Sequence, residues 1–128
     1  MIIKILLVDD SRASRFIIKG CIPKDRGYEI SEAADGKAGL EMYKELKPDL
    51  TFLDLTMPVM DGYEALGEIK KYDSSALVIV LTADIQKKSR EKVENLGAFK
   101  LIPKPPNKEI MEQALLDAED MLLNRKPY

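Results

Sequence analysis

Three aspartates, a threonine and a lysine stand where apolar runs of this 128-residue chain stop. Asp9 and Asp10 close the run at 2–8, Asp54 closes 50–53, Thr82 closes 76–81, and Lys104 follows 99–102. Taken singly, each has an ordinary use. An aspartate after a buried strand opens a turn or caps a helix, and paired acids favour the positive end of a helix dipole. A threonine ends strands, and a loop lysine is commonly solvated. Brought together, the five residues suit phosphoryl chemistry. Clustered carboxylates repel one another and favour their protonated forms unless a cation intervenes. Mg²⁺ fits such a set, since it takes hard oxygen ligands and keeps positions open for water and phosphate. An aspartate can attack phosphorus to give an acyl phosphate. Phosphoryl transfer then needs an in-line nucleophile and charge neutralisation more than covalent machinery. Asp54 suits the nucleophile, with Lys104 and the Thr82 hydroxyl on the phosphoryl oxygens.

Whether these residues meet depends on the elements that carry them. Residues 2–8 are nearly all apolar, broken by Lys4, as in a strand buried on both faces. Ser11 is a natural N-cap for a helix whose apolar spacing is Ala13, Ile17 and Cys21, stopped by Pro23. Residues 28–33 alternate like a half-exposed edge strand. Asp35-Gly36 signals a turn, and a helix with Leu40, Tyr43 and Leu46 ends at Pro48. Residues 50–53 form a third strand delivering Asp54. The loop at 57–62 leads into a helix to about Lys71, weakened at Gly67. Residues 76–81 are the most apolar run, followed by a polar helix to Leu96 with Gly97 as its C-cap. Residues 99–102 form a fifth strand, with Lys100 marking an edge. Asn107 caps a last helix carrying Ile110, Ala114, Ala118, Met121 and Leu122 on one stripe.

Five strands alternating with five helices predict an α/β fold, a doubly wound five-stranded parallel sheet covered on both faces. The order 2-1-3-4-5, a known flavodoxin-like solution, satisfies interior strands one, three and four and edge strands two and five with right-handed crossovers. Sites in such sheets lie at the carboxyl ends of strands, where the order reverses. That rule places Asp9, Asp10 and Asp54 in one crevice, with Thr82 and Lys104 on the same edge.

Composition narrows the function classes. Lys and Arg number 20 against 22 Asp and Glu, a balance without the basic footprint that nucleic-acid binding needs. Histidine is absent, so any phosphohistidine donor belongs to another protein. One cysteine, Cys21, gives no intrachain disulfide and no cysteine metal cluster, which fits a reducing cytosol. Neither a secretory signal nor a membrane span of ~20 apolar residues is present, and a cytoplasmic protein is expected. Residues 1–124 are expected to form one domain, with 125–128 a short tail that leaves no room for an output domain.

The stretches ILLVDDSR, ADGKAGLEMYKELKPDL, FLDLTMPVMDGYEAL, VLTAD and IPKP resemble the receiver domains of two-component response regulators along nearly the whole chain. The resemblance implies Asp54 as phosphoacceptor, with Mg²⁺ held by the carboxylates of Asp10 and Asp54. It also implies Asp9 acting mainly through water, the Thr56 backbone carbonyl as a ligand, and Thr82 and Lys104 on the phosphoryl oxygens. It implies a cis Lys104–Pro105 bond, and a role for Thr56 and Asp84 in tuning phosphoryl lifetime. The donor would be a histidine kinase or phosphotransfer protein, and catalysis would stop at self-phosphorylation and self-dephosphorylation. A downstream protein would read the face built from the fourth helix, fifth strand and last helix, on a monomer or an activation-linked homodimer. Two positions depart from the family pattern. Leu101 stands where many receivers carry Tyr or Phe, and Pro106 where many carry Phe.

Three other readings compete. A haloacid-dehalogenase-type phosphatase also uses an aspartyl nucleophile, Lys and Mg²⁺, but needs an Asp two residues after the nucleophile, where this chain has Thr56. An FMN binder on the same topology needs hydroxyls and amides after the first strand, where Asp9 and Asp10 would repel phosphate. A degenerate receiver acting as a scaffold would lack pocket residues that are all present here.

Overall fold

In the computed structural model, residues 2–57 and 59–125 are described. The five expected strand segments become β1 (Lys4–Val8), β2 (Glu29–Ala33), β3 (Leu50–Asp54), β4 (Val78–Thr82) and β5 (Lys100–Pro103). All pair in parallel in the order β2-β1-β3-β4-β5, as expected. Every residue of β3 and β4 is buried, whereas β2 and β5 are partly exposed, which is the difference between interior and edge positions. Helices α1 (Arg12–Gly20), α2 (Gly36–Leu46), α3 (Gly62–Tyr72), α4 (Lys87–Asn95) and α5 (Lys108–Leu123) fill the connections.

The strand period of two divides the core between the faces. Ile5, Leu7, Phe52, Ile79 and Leu81 pack with Ile18, Met111 and Leu115 on one side. Leu6, Val8, Leu53, Val78 and Val80 pack with Tyr43, Leu66, Ile69 and Val93 on the other.

The strands begin later than their apolar runs. Ile2 is buried but lies outside the ladder, and the Asp49 carboxylate takes the amides of Ile3 and Lys4 at 2.8 and 2.9 Å. Ala76, Leu77 and Phe99 likewise precede β4 and β5.

Two helices present a different face from the one their apolar spacing predicts. In α1, Ile18 is buried, as is Ile22 just beyond the helix, whereas Ile17 is 50% exposed and Ala13 is open to solvent. The cause is polar. Ser11 caps the helix on the Ser14 amide, and the Ser14 hydroxyl is drawn to the end of β1, which turns the row through Ser14 and Ile18 inward. In α5, Met111, Ala114, Leu115 and Ala118 are buried, Leu122 is partly so, and Ile110 and Met121 are each 42% exposed. Met111 and Leu115 join Ala114 and Ala118 on the buried face, in place of Ile110 and Met121.

Asp35, expected in a turn, is the N-cap of α2, its Oδ1 accepting from the Ala38 amide at 2.7 Å. Gly97 follows the C-cap Leu96 of α4 at φ +95°, where glycine avoids Cβ strain. In the 57–62 loop Pro58 lies outside the described residues, as do residues 126–128 of the tail.

Candidate functional site

The carboxyl edge of the sheet collects the singled-out residues. β1 hands off to Asp9 and Asp10, β3 ends in Asp54, and β4 ends in Thr82. Lys104 follows β5, its amide donating to the Thr82 carbonyl at 2.8 Å. Asp9, Asp10 and Asp54 each offer an oxygen within 4.8 Å of the others. Lys104 Nζ lies 2.7 Å from Asp9 Oδ2 and 3.4 Å from Asp54 Oδ1. A cavity of about 770 Å³ opens above them, lined by Asp10, Asp54, Thr56, Thr82 and Lys104 together with Asp84.

The three acids differ in setting. Asp9 is 1% exposed and lies beneath the cavity, not on its wall. Its Oδ1 accepts the Ser11 amide at 2.9 Å, and its Oδ2 accepts the Ser14 hydroxyl at 2.6 Å as well as Lys104. Asp10 is exposed at the rim. Asp54 is 8% exposed, and its Oδ1 accepts the Leu55 amide at 2.9 Å. Burial pushes the Asp54 carboxyl above the ordinary carboxylate range, the Lys104 ammonium pulls it back, and the nearby Asp9 charge adds to the rise. A cation in this cluster would relieve the same penalty, so the donor set of clustered carboxylate oxygens beside an open cavity fits a hard divalent ion.

Thr82 is 2% exposed, and its hydroxyl oxygen accepts the Asp84 amide at 3.0 Å. That bond occupies an acceptor direction and leaves the hydroxyl hydrogen free to donate. Asp84 is itself tied down, Oδ1 to the Gln86 amide at 3.0 Å and Oδ2 to the Ser89 hydroxyl at 2.6 Å. The loop after Asp54 is held by Gly62, whose amide donates to the Leu55 carbonyl at 2.9 Å. A Cβ there would sit 2.1 Å from the Asp54 carbonyl oxygen, so only glycine lets α3 begin this close to β3. Lys104–Pro105 is cis. Leu101 is partly buried against the cluster that holds Val80 and Val93, and Pro106 is buried.

All the expected site residues therefore meet at one end of the sheet. Sequence reasoning missed two residues that serve the site. Ser14 bonds Asp9, and Arg15 donates to the Asp9 carbonyl while its Nε pairs with Glu32 at 2.8 Å. Their signal was position, one turn beyond the cap Ser11, and it was obscured by reading α1 through its apolar residues alone.

Comparison with known proteins agrees with the geometry. The profile of the response regulator receiver domain matches residues 5–116. The chain is 42% identical over 103 residues to the chemotaxis protein CheY of Thermotoga maritima, covering 80% of this chain and 85% of that protein. It is 38% identical over 115 residues to CheY of Halobacterium salinarum, covering 89% and 94%. Among solved structures, the CheX-CheY-BeF3-Mg²⁺ complex of Borrelia burgdorferi superposes with a TM-score of 0.81 at 28% identity, over 96% of this chain and 90% of that one. The phosphatase reading gains no support from these matches, and the flavodoxin-like topology is that of receivers.

Proposed function

The chain belongs to the response regulator receiver family, and from that premise we propose that Asp54 is the phosphoacceptor of a two-component system. The observation that carries the reading is the convergence of Asp9, Asp10 and Asp54 within 4.8 Å, with Lys104 Nζ 3.4 Å from Asp54. Receiver domains are signalling domains that generally bind Mg²⁺. Here Asp10, Asp54 and the Thr56 backbone carbonyl would hold it directly and Asp9 through water. When bound, the ion neutralises charge on the phosphoryl oxygens.

The chain's own residues do the rest. An Asp54 carboxylate oxygen attacks the phosphorus of a phosphohistidine on a partner protein. A P–O bond forms, the P–N bond breaks, and the imidazole leaves with the electron pair and takes a proton from solvent. Lys104 turns from the carboxylates to a phosphoryl oxygen, and the free Thr82 hydrogen is donated to another. Both stabilise charge in a partly desolvated pocket, where such contacts count for more than in water.

The donor is a histidine kinase or phosphotransfer protein, and the chain turns over no external substrate. Residues 1–124 act as the receiver domain, in the cytoplasm. Among the described residues no helix is long and apolar enough to cross a membrane. Nucleic acid is not a partner, in keeping with a formal net charge of -2. A downstream protein reads the α4-β5-α5 face, where a cleft between β5 and α5 is lined by Leu101, Ile102, Ile110 and Gln113. Incubation with acetyl phosphate and Mg²⁺ followed by intact-mass analysis is expected to show one added phosphoryl group on the wild type and none on Asp54→Asn. Equal labelling of the two proteins would overturn the assignment.

A further inference from the structure

The buried acid Asp9 is already bonded on both oxygens, and its Oδ2 is shared by two donors, Lys104 Nζ at 2.7 Å and Ser14 Oγ at 2.6 Å. A carboxylate oxygen offers about two acceptor directions, so both at Oδ2 are taken. The Lys104 ammonium has three N–H donors, and turning it fully to a phosphoryl group loosens the one it gives to Asp9 Oδ2. Leaving a carboxylate that is 1% exposed without its cation is costly unless other donors remain.

Ser14 is the side chain placed to meet that need. Its amide donates to Ser11 Oγ at 3.1 Å, which fixes the first turn of α1 and the direction of its hydroxyl. Ser11 gives its amide to the opposite oxygen of Asp9, and Arg15 reaches the backbone carbonyl, not the carboxylate. We propose that Ser14 is a positioning residue whose hydroxyl keeps Asp9 Oδ2 hydrogen-bonded as Lys104 moves to the phosphoryl group, and so sets how readily that lysine is released. The inference rests on the phosphoacceptor reading of Asp54 and deepens it. Without the hydroxyl, Lys104 becomes the one side-chain donor on that oxygen and is held back from the pocket.

The test is a fluorine NMR titration of the whole chain with beryllofluoride, a phosphoryl mimic, at saturating Mg²⁺. Ser14→Ala is expected to weaken binding about fivefold, the order of one hydrogen bond. Ser14→Thr, which keeps the hydroxyl, is expected to bind as the wild type does. In a Lys104→Met background, where no lysine needs releasing, Ser14→Ala is expected to change nothing. The proposal is overturned if Ser14→Ala binds like the wild type, if Ser14→Thr is as weak as Ser14→Ala, or if the alanine effect persists without Lys104. A wild-type chain that takes no beryllofluoride would remove the phosphoacceptor reading as well, a result distinct from the other three.

Discussion

At the scale of single residues, the site is a group of charges held in an unfavourable setting for a purpose. Asp54 is buried near a second acid, and its carboxyl is held above the ordinary value of 3.8 mainly by desolvation. Raising an acid's value in the folded state means the folded protein holds the proton longer than the unfolded chain does. That contribution therefore costs stability as pH rises from the ordinary value through the raised one, and the full penalty remains above it. Asp54→Asn removes the charge and the penalty. In urea denaturation without divalent metal, the variant is expected to match the wild type at low pH and to become the more stable protein as pH rises through that window. A stability difference that does not vary with pH would contradict the account. Thr82 is the neutral counterpart, since its buried oxygen is satisfied by the Asp84 amide and its hydrogen is left free to donate.

At the scale of elements, the strands were legible and the face of α1 was not. Fully buried β4 announces itself as an unbroken apolar run and β3 as one broken by Thr51, and the mixed patterns around Ile30 and Lys100 mark the edges. These two signals fit the known order 2-1-3-4-5, in which Asp9, Asp54, Thr82 and Lys104 meet. Helix α1 was misjudged because polar ties, not apolar spacing, set its rotation. Ser14 turns inward to Asp9 and leaves Ile17 outside, and a hydrophobic pattern carries no trace of a hydroxyl bonded to a residue beyond the helix. The glycines of α3 make a paired test of how elements are placed. A Cβ at Gly62 meets the Asp54 carbonyl at 2.1 Å, backbone that cannot give way. Gly62→Ala is expected to cost about 3 kcal/mol, the upper range for overpacking. At Gly67 the nearest atom is a flexible Leu96 methyl at 3.7 Å, and Gly67→Ala is expected to stabilise by about 1 kcal/mol through helix propensity. Chemical denaturation of both variants checks the signs, and destabilisation at Gly67 equal to that at Gly62 would refute this account of α3.

At the scale of the whole molecule, the sheet links a charged edge to a surface some elements away. Lys104 follows directly on β5, which also carries Leu101, and the Thr82 carbonyl takes the Lys104 amide at 2.8 Å. On the proposed function, a change at the phosphoryl oxygens would act on β4 and β5 at once, and Leu101 faces the packing that holds Val93 of α4. An aliphatic side chain there can repack but cannot present a ring or hydroxyl to a partner. Loading with beryllofluoride and Mg²⁺ is expected to shift backbone NMR signals of Leu101 and of α4 and α5, beyond the residues lining the cavity. Shifts confined to the cavity would rule out this face as the readout. The central claim, that one end of the sheet forms a single phosphoryl-binding cluster, is tested most directly by a crystal structure of the Mg²⁺-beryllofluoride form. It is expected to show beryllium on an Asp54 oxygen, with Lys104 Nζ and the Thr82 hydroxyl both in contact with fluorine. Beryllofluoride bound elsewhere, or Lys104 and Thr82 turned from it, would contradict the account.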